Sequence, residues 1–269
     1  DLNCNHVQGL GSSPIIYKNL LILHLEGVDV QYIVALDKTT GKTVWKTERP
    51  AKVYDPLTPI GKKAYITPLI VNVKGKDLLI SNGSAICQAF DPETGKEIWH
   101  IIQGTDSTIA MPVYENGLVY FIPGFVSPPE GEKYTELIAV NPDGQGDISM
   151  TNIAWKRKIP VLQLLTPLLK NGLIYLVDTQ NNLLCLDAKT GAVVYTRKMK
   201  SKYYASPVFA NGMIYFISGK GETTILKEGR NLEIVAENKL QGEVFATPAI
   251  LRDQILLRTD KSLYCIQGK

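Results

Sequence analysis

Three recurrences predict an all-β chain folded as a β-propeller of four-stranded antiparallel blades. An Asp-x-x-Thr-Gly turn leads to an aromatic residue from Asp37 to Trp45, Asp91 to Trp99 and Asp187 to Tyr195, with Gly four and the aromatic eight residues after the Asp each time. A Ser/Thr-Pro step, Met-Pro in one copy, opens an apolar run at Pro14, Pro68, Pro112, Pro167, Pro207 and Pro248, at intervals of 54, 44, 55, 40 and 41 residues. Asn-Gly joins two β-rich runs at Asn116-Gly117, Asn171-Gly172 and Asn211-Gly212. Self-similarity at a period of about 40–50 residues marks a propeller or solenoid. Asn-Gly between β-rich runs is the strongest short-range hairpin signal, because both residues tolerate the positive φ of a type I′ turn.

Each unit is expected to run strand, tight turn, strand, third strand, Asp-led turn, fourth strand. Third strands are read at Tyr32 to Leu36, Ala85 to Phe90, Leu137 to Val140 and Leu183 to Leu186. Asp and Thr side chains bond their own turn backbone and Gly takes the left-handed position. The fourth run, Lys42 to Lys46 or Lys96 to Ile101, carries the Trp, a large flat side chain expected to fill the gap between neighbouring blades. The third unit has Asn141 for the Asp, and 143–151 lengthens its turn so that Trp155 comes fourteen residues after Asn141. The fifth has Leu226 to Asn231 as its turn and Val235 at the aromatic position, and the sixth has three strands. The blades are placed at roughly 12–50, 65–103, 109–160, 165–200, 204–240 and 245–269 of one domain spanning 1–269. Asp1-Leu2 falls where other units have just finished a fourth strand. Five full blades plus a three-stranded sixth are therefore expected to be the C-terminal part of a seven- or eight-bladed propeller. The alternative is a six-bladed ring closed by residues 1–8. Open blade edges are expected to pair with further blades or another chain.

Composition narrows the function classes. With 45% hydrophobic and 20% charged residues, the 269-residue chain has ample core. A net charge of +3 without a basic stripe argues against nucleic-acid binding. No apolar stretch approaches the length of a transmembrane helix. Cys185 and Cys265 hold the third-strand position that Ala35, Ala89 and Ala139 hold elsewhere, so they read as small buried core residues, with Cys87 two positions earlier on its strand. No Cys-x-x-Cys is present, and the three histidines, His6, His24 and His100, share no metal-ligand spacing. His24 and His100 read as ordinary strand residues.

The motif Ala-Leu-Asp-x-x-Thr-Gly-x-x-x-Trp resembles the tryptophan-docking repeat of the quinoprotein-like propellers. That superfamily includes the alcohol dehydrogenases dependent on pyrroloquinoline quinone and, without cofactor, a lipoprotein of the outer-membrane barrel-assembly machine. The segments Gly11 to Pro14, Tyr32 to Lys38, Leu183 to Gly191 and Ser262 to Ile266 are most similar to exported bacterial proteins built from this repeat. The resemblance implies the propeller fold along essentially the whole chain, and an extracytoplasmic location, periplasmic or secreted. A dehydrogenase of that superfamily clamps its quinone between a Trp and a disulfide of adjacent cysteines, beside a Ca²⁺ ion and an Asp base. No adjacent-cysteine pair and no Cys-x-x-Cys-His haem motif is present, and all three Trp residues are assigned to blade contacts. No cofactor is expected, neither pyrroloquinoline quinone nor Ca²⁺, and no catalytic or metal-binding residue is assigned.

Binding residues are expected at the channel mouth, on the loops just before each Ser/Thr-Pro. His6 lies in such a loop, and Tyr65, Ile109, Leu165, Tyr204 and Phe245 fall just before the innermost strands, where aromatics recur. His6, Tyr65, Tyr204 and Phe245 are the candidate contacts. The insertion from Pro123 to Glu136, stiffened by Pro128-Pro129, is a candidate binding-face loop. The expected function is a non-catalytic scaffold that binds a protein, peptide or glycan outside the cytoplasm. The alternatives are a small-ligand-binding or enzymatic propeller with part of its site upstream, and an adaptor module of a signalling chain.

Overall fold

The computed structural model describes residues 4–5, 8–103, 108–124, 130–160 and 165–267. Within them, 24 strands form six sheets. The first blade holds β1 (Ile15–Tyr17), β2 (Leu20–Glu26), β3 (Gln31–Asp37) and β4 (Thr43–Glu48), and is followed by the single helical turn α1 (Ala51–Tyr54). The second holds β5 (Leu69–Val73), β6 (Lys76–Asn82), β7 (Ile86–Phe90) and β8 (Glu97–Ile102). The third holds β9 (Val113–Glu115), β10 (Leu118–Phe121) and β11 (Tyr134–Val140); then come β12 (Gly146–Asp147) and its fourth strand β13 (Ile153–Pro160). The fourth holds β14 (Leu168–Lys170), β15 (Leu173–Val177), β16 (Asn182–Asp187) and β17 (Val193–Lys198). The fifth holds β18 (Val208–Ala210), β19 (Met213–Ile217), β20 (Glu222–Lys227) and β21 (Ile234–Lys239). The sixth has β22 (Ala249–Leu251), β23 (Gln254–Arg258) and β24 (Leu263–Gln267). The fold is an all-β propeller. Its chain divides into two compact units, Asp1–Lys158 and Ile159–Lys269.

Each landmark of the repeat has a physical job. The Pro sits immediately before every innermost strand, where a missing N–H costs no ladder bond. The Ser or Thr beside it ties successive blades together: Thr67 Oγ1 accepts from Ser13 N at 3.0 Å, Ser206 Oγ from Thr166 N at 2.9 Å, and Thr247 Oγ1 from Ser206 N at 3.0 Å. Asn116, Asn171 and Asn211 have φ of 53°, 47° and 49°, the positive values a type I′ turn demands. In the Asp-led turn, Asp37 Oδ1 accepts from the N–H groups of Thr39 and Thr40 at 3.0 and 2.7 Å, and Asp91 Oδ1 from those of Glu93 and Thr94 at 2.8 and 3.1 Å. A bulge precedes the turn and puts a small residue opposite the aromatic: Ala35 faces Trp45, Ala89 faces Trp99 and Cys185 faces Tyr195.

The Trp residues fasten one blade to the next. Trp45 Nε1 donates to Pro92 O at 3.1 Å and Trp99 Nε1 to Pro142 O at 2.8 Å, in each case inside the following blade's Asp- or Asn-led turn. Trp99 is fully buried, in a core shared by sheets two and three. Smaller cores join the first and second sheets, the fourth and fifth, and the fifth and sixth. Trp155 instead packs against Tyr120 of its own blade, with ring centroids 5.9 Å apart and the planes tilted by 50°.

Two expectations need correction, and a third is extended. The lengthened turn of the third blade carries a short strand: its β12 pairs in parallel with β8, Ile148 N donates to His100 O at 3.0 Å, and Ile148 is buried in the core. The insertion therefore covers the outer edge of the second blade, a usual way of blunting an edge strand. Cys265 is exposed, because β24 is the edge of a three-stranded sheet, whereas Cys185 and Cys87 are buried as expected. Leu165 is buried in the core of the second unit rather than placed on a binding face.

Candidate functional site

The loops that precede the innermost strands are held by backbone bonds to the turn between strands two and three of a blade. In the second unit Gly219 N donates to Lys202 O at 2.8 Å, Val244 N to Gly219 O at 3.1 Å and Asp260 N to Glu243 O at 2.9 Å. Two of the four candidate residues meet on this lattice. Tyr204 and Phe245 lie with ring centroids 5.0 Å apart at 34°. The Tyr204 ring covers Gly219 so closely that a methyl group there would come within 2.8 Å of Cε2. Phe245 is 57% exposed. Together with Asn181, Lys200, Ser201, Lys202, Lys220 and Glu243 they line a groove of about 350 Å³.

Tyr65 belongs to the first unit. Its hydroxyl donates to Gln8 Oε1 at 2.5 Å and its ring covers Gly11. His6 lies outside the described residues, as do Pro128 and Pro129 of the candidate loop.

The first unit fills the comparable face with a buried polar cluster that the sequence reading did not anticipate. Arg49 Nε lies 2.8 Å from Glu26 Oε1, Arg49 Nη1 donates to Gln88 Oε1 at 2.5 Å, and Nη2 to Ser81 Oγ at 2.7 Å. Glu26 also accepts from Tyr54 OH and Ser84 N, both at 2.9 Å. Burial pushes the Glu26 carboxyl up against the opposing pull of Arg49, and it pushes the Tyr54 phenol well up, with Glu26 adding to it. His24, read from sequence as an ordinary strand residue, sits with Nδ1 2.8 Å from Ser81 Oγ and Nε2 3.6 Å from Glu26 Oε1. The order Ser81, His24, Glu26 has the form of a nucleophile, base and orienting acid. It is sealed, since all three side chains are buried, and Arg49 already donates to the Ser81 oxygen. A nucleophile needs reach to a substrate, so the cluster is structural. The signal available in the sequence was two polar residues, His24 and Glu26, on one face of an otherwise apolar strand.

With this geometry in view, the comparisons decide the family. The family model described as outer membrane protein assembly factor BamB matches residues 25–145 and 88–232. The chain belongs to the BamB family. BamB of Moranella endobia is 24% identical over 258 residues, covering 92% of the chain, and the chain spans 59% of that relative's length. Among solved structures, BamB of Moraxella catarrhalis has a TM-score of 0.64 at 12% identity, covering 91% of the chain and 68% of its own. The quinohemoprotein alcohol dehydrogenase of Comamonas testosteroni has a TM-score of 0.62 at 12% identity, covering 89% of the chain and 44% of its own. At these identities the structural likeness shows the fold alone.

The BamB-family chain does not fit the quinone of the dehydrogenase branch. Its four cysteines are free, and among the described residues no three His, Cys, Asp or Glu side chains gather where they would hold a metal ion. Trp45 and Trp99 are buried and bonded into the next blade's turn, and Trp155 packs at a tilt against Tyr120. Nor are the two buried thiols primed for chemistry: burial pushes Cys87 up to about 12 and Cys185 up to about 11, far from the thiolate form a nucleophile needs.

Proposed function

We propose that the chain is a non-catalytic propeller scaffold that binds a partner protein in an extracytoplasmic compartment, as part of a factor for outer-membrane protein assembly. The observation that carries this reading is the contrast between the two kinds of side chain. Groups with chemical potential, His24, Glu26, Ser81, Tyr54 and Cys87, are sealed in the core. Tyr204 and Phe245 are instead presented together on a face stiffened by backbone bonds. Aromatic residues on a rigid frame are what protein interfaces use as anchors. Membership of the BamB family supports the assembly context. No helix among the described residues is long and apolar enough to cross a membrane. His6, Tyr65, Tyr204 and Phe245 remain the proposed contact residues.

The test is site-specific photo-crosslinking in living bacteria. A benzophenone amino acid placed at Phe245 or Tyr204 is expected to capture the same envelope protein, identified by mass spectrometry, while one at exposed Thr196 on β17 does not. Identical products from all three positions, or none, would overturn the reading.

A further inference from the structure

The groove of the second unit has a chemistry of its own beneath the general binding role. Its aromatic lining is the Tyr204–Phe245 pair. Its lining also carries three lysines, Lys200, Lys202 and Lys220, against one glutamate, Glu243. Lys200 already has a carboxylate, Glu237 Oε2 at 3.1 Å. Among the described residues, Lys202 and Lys220 have no carboxylate within 4 Å, although both are exposed and lie beside the aromatic pair. The amide oxygen of Asn181, on the same lining, is buried and has no donor among the described residues.

The walls are fixed in advance. Met199 N donates to Asn181 O at 2.7 Å, Gly219 N to Lys202 O at 2.8 Å and Val244 N to Gly219 O at 3.1 Å, so the four segments that carry the lining residues are cross-tied. Binding to such a frame loses little conformational entropy.

We propose that this groove takes an extended acidic stretch of a partner polypeptide. An aromatic or aliphatic side chain of that stretch rests on Tyr204 and Phe245, and its carboxylates reach Lys202 and Lys220. The assignment rests on the protein-binding reading above and names the partner's chemistry. An apolar platform flanked by exposed lysines that form no ion pair within 4 Å among the described residues selects a ligand that is both apolar and anionic. Charge complementarity of this kind governs encounter rate and salt response as much as affinity.

The experiment uses the full chain and fluorescein-labelled hexapeptides alternating glutamate with phenylalanine, read by fluorescence polarisation. Controls are the glutamine–phenylalanine and glutamate–alanine peptides and phosphatidylglycerol vesicles. The glutamate–phenylalanine peptide is expected to bind about tenfold more tightly than either control peptide. Its preference over the glutamine–phenylalanine peptide is expected to fade as salt is raised to about 0.5 M, whereas its preference over the glutamate–alanine peptide persists. The double variant Lys202→Glu/Lys220→Glu and the single variant Phe245→Ala are each expected to lose about tenfold in affinity. Lys189→Glu, an exposed change in a turn of the fourth blade, should leave binding unaltered, and unchanged thermal melts establish that every variant is folded. Equal binding of the glutamine peptide, or indifference to the charge reversal, overturns the proposal. Vesicle binding without peptide binding overturns it in favour of a membrane surface. Loss of all peptide binding while Phe245 still crosslinks one recurrent envelope protein would discard the acidic class and leave the scaffold reading standing.

Discussion

Gly41 and Gly95 hold the same turn position in successive blades, with φ of 71° and 69°. An L-residue there pays about 1–2 kcal/mol for the left-handed conformation. Nothing lies within 4 Å of where a Gly41 side chain would go, whereas a methyl at Gly95 would come within 2.6 Å of Trp45 Cδ2 and 2.8 Å of Thr47 Oγ1. Gly41→Ala should therefore cost only the backbone strain, and Gly95→Ala a further ~1–3 kcal/mol of overpacking. Urea unfolding midpoints of the two variants check this, and equal losses would show that the indole is not seated on the Gly95 turn. The sequence made the shared motif legible because Asp, Thr and Gly act locally, through bonds within four residues. It hid the difference between the two glycines, because the atom that makes one of them indispensable comes from Trp45, 50 residues away in the chain. The same limit explains His24. Its environment is set by Ser81 and Arg49, and nothing in the immediate Leu-His-Leu-Glu context names them.

At the scale of the element, strands and hairpins were readable wherever the turn chemistry was strong. Asn-Gly announced three of the hairpins, but the equivalent turns of the first, second and sixth blades place Lys18, Lys74 and Arg252 at positive φ, where no residue preference flags them. Between elements, the buried Arg49 cluster joins β2 of the first blade to β6 and β7 of the second. A buried charge stripped of its partner is costly, so Arg49→Met is expected to destabilise by about 3–5 kcal/mol. Glu26→Gln removes the charge that Arg49 answers. The Glu26→Gln/Arg49→Met double variant should then lose clearly less than the sum of the two single variants. A double-mutant cycle by chemical denaturation reads that coupling. Simple additivity would mean that the ion pair contributes nothing of its own and that the remaining hydrogen bonds to Ser81, Gln88 and Ser84 hold the interface.

For the molecule as a whole, repetition made the architecture legible and chemistry made the site obscure. The propeller follows from one unit that cannot bury both faces of its sheet, so each blade borrows its neighbour, and six variations on the unit are easier to detect than any one of them. The groove had no such redundancy. Tyr204 and Phe245 stood out because aromatics recur before the innermost strands, but Lys202, Lys220 and Asn181 sit on segments that the repeat leaves free to vary, and only the folded chain brings them together. Nearest-neighbour stabilisation also makes a prediction about cooperativity within the first unit. Trp99 is bonded to Pro142 and packed among Val119, Phe121, Ile138 and Val140 of the third blade. Trp99→Ala should cost about 3–5 kcal/mol, as large core truncations do. In native-state hydrogen exchange, the lost protection should concentrate in β7, β8, β10 and β11, the strands that face one another across that indole, while β2 and β3 of the first blade retain more of theirs. A uniform loss over all three blades would instead mean that the first unit unfolds in one step, with the tryptophan contacts distributing stability rather than localising it.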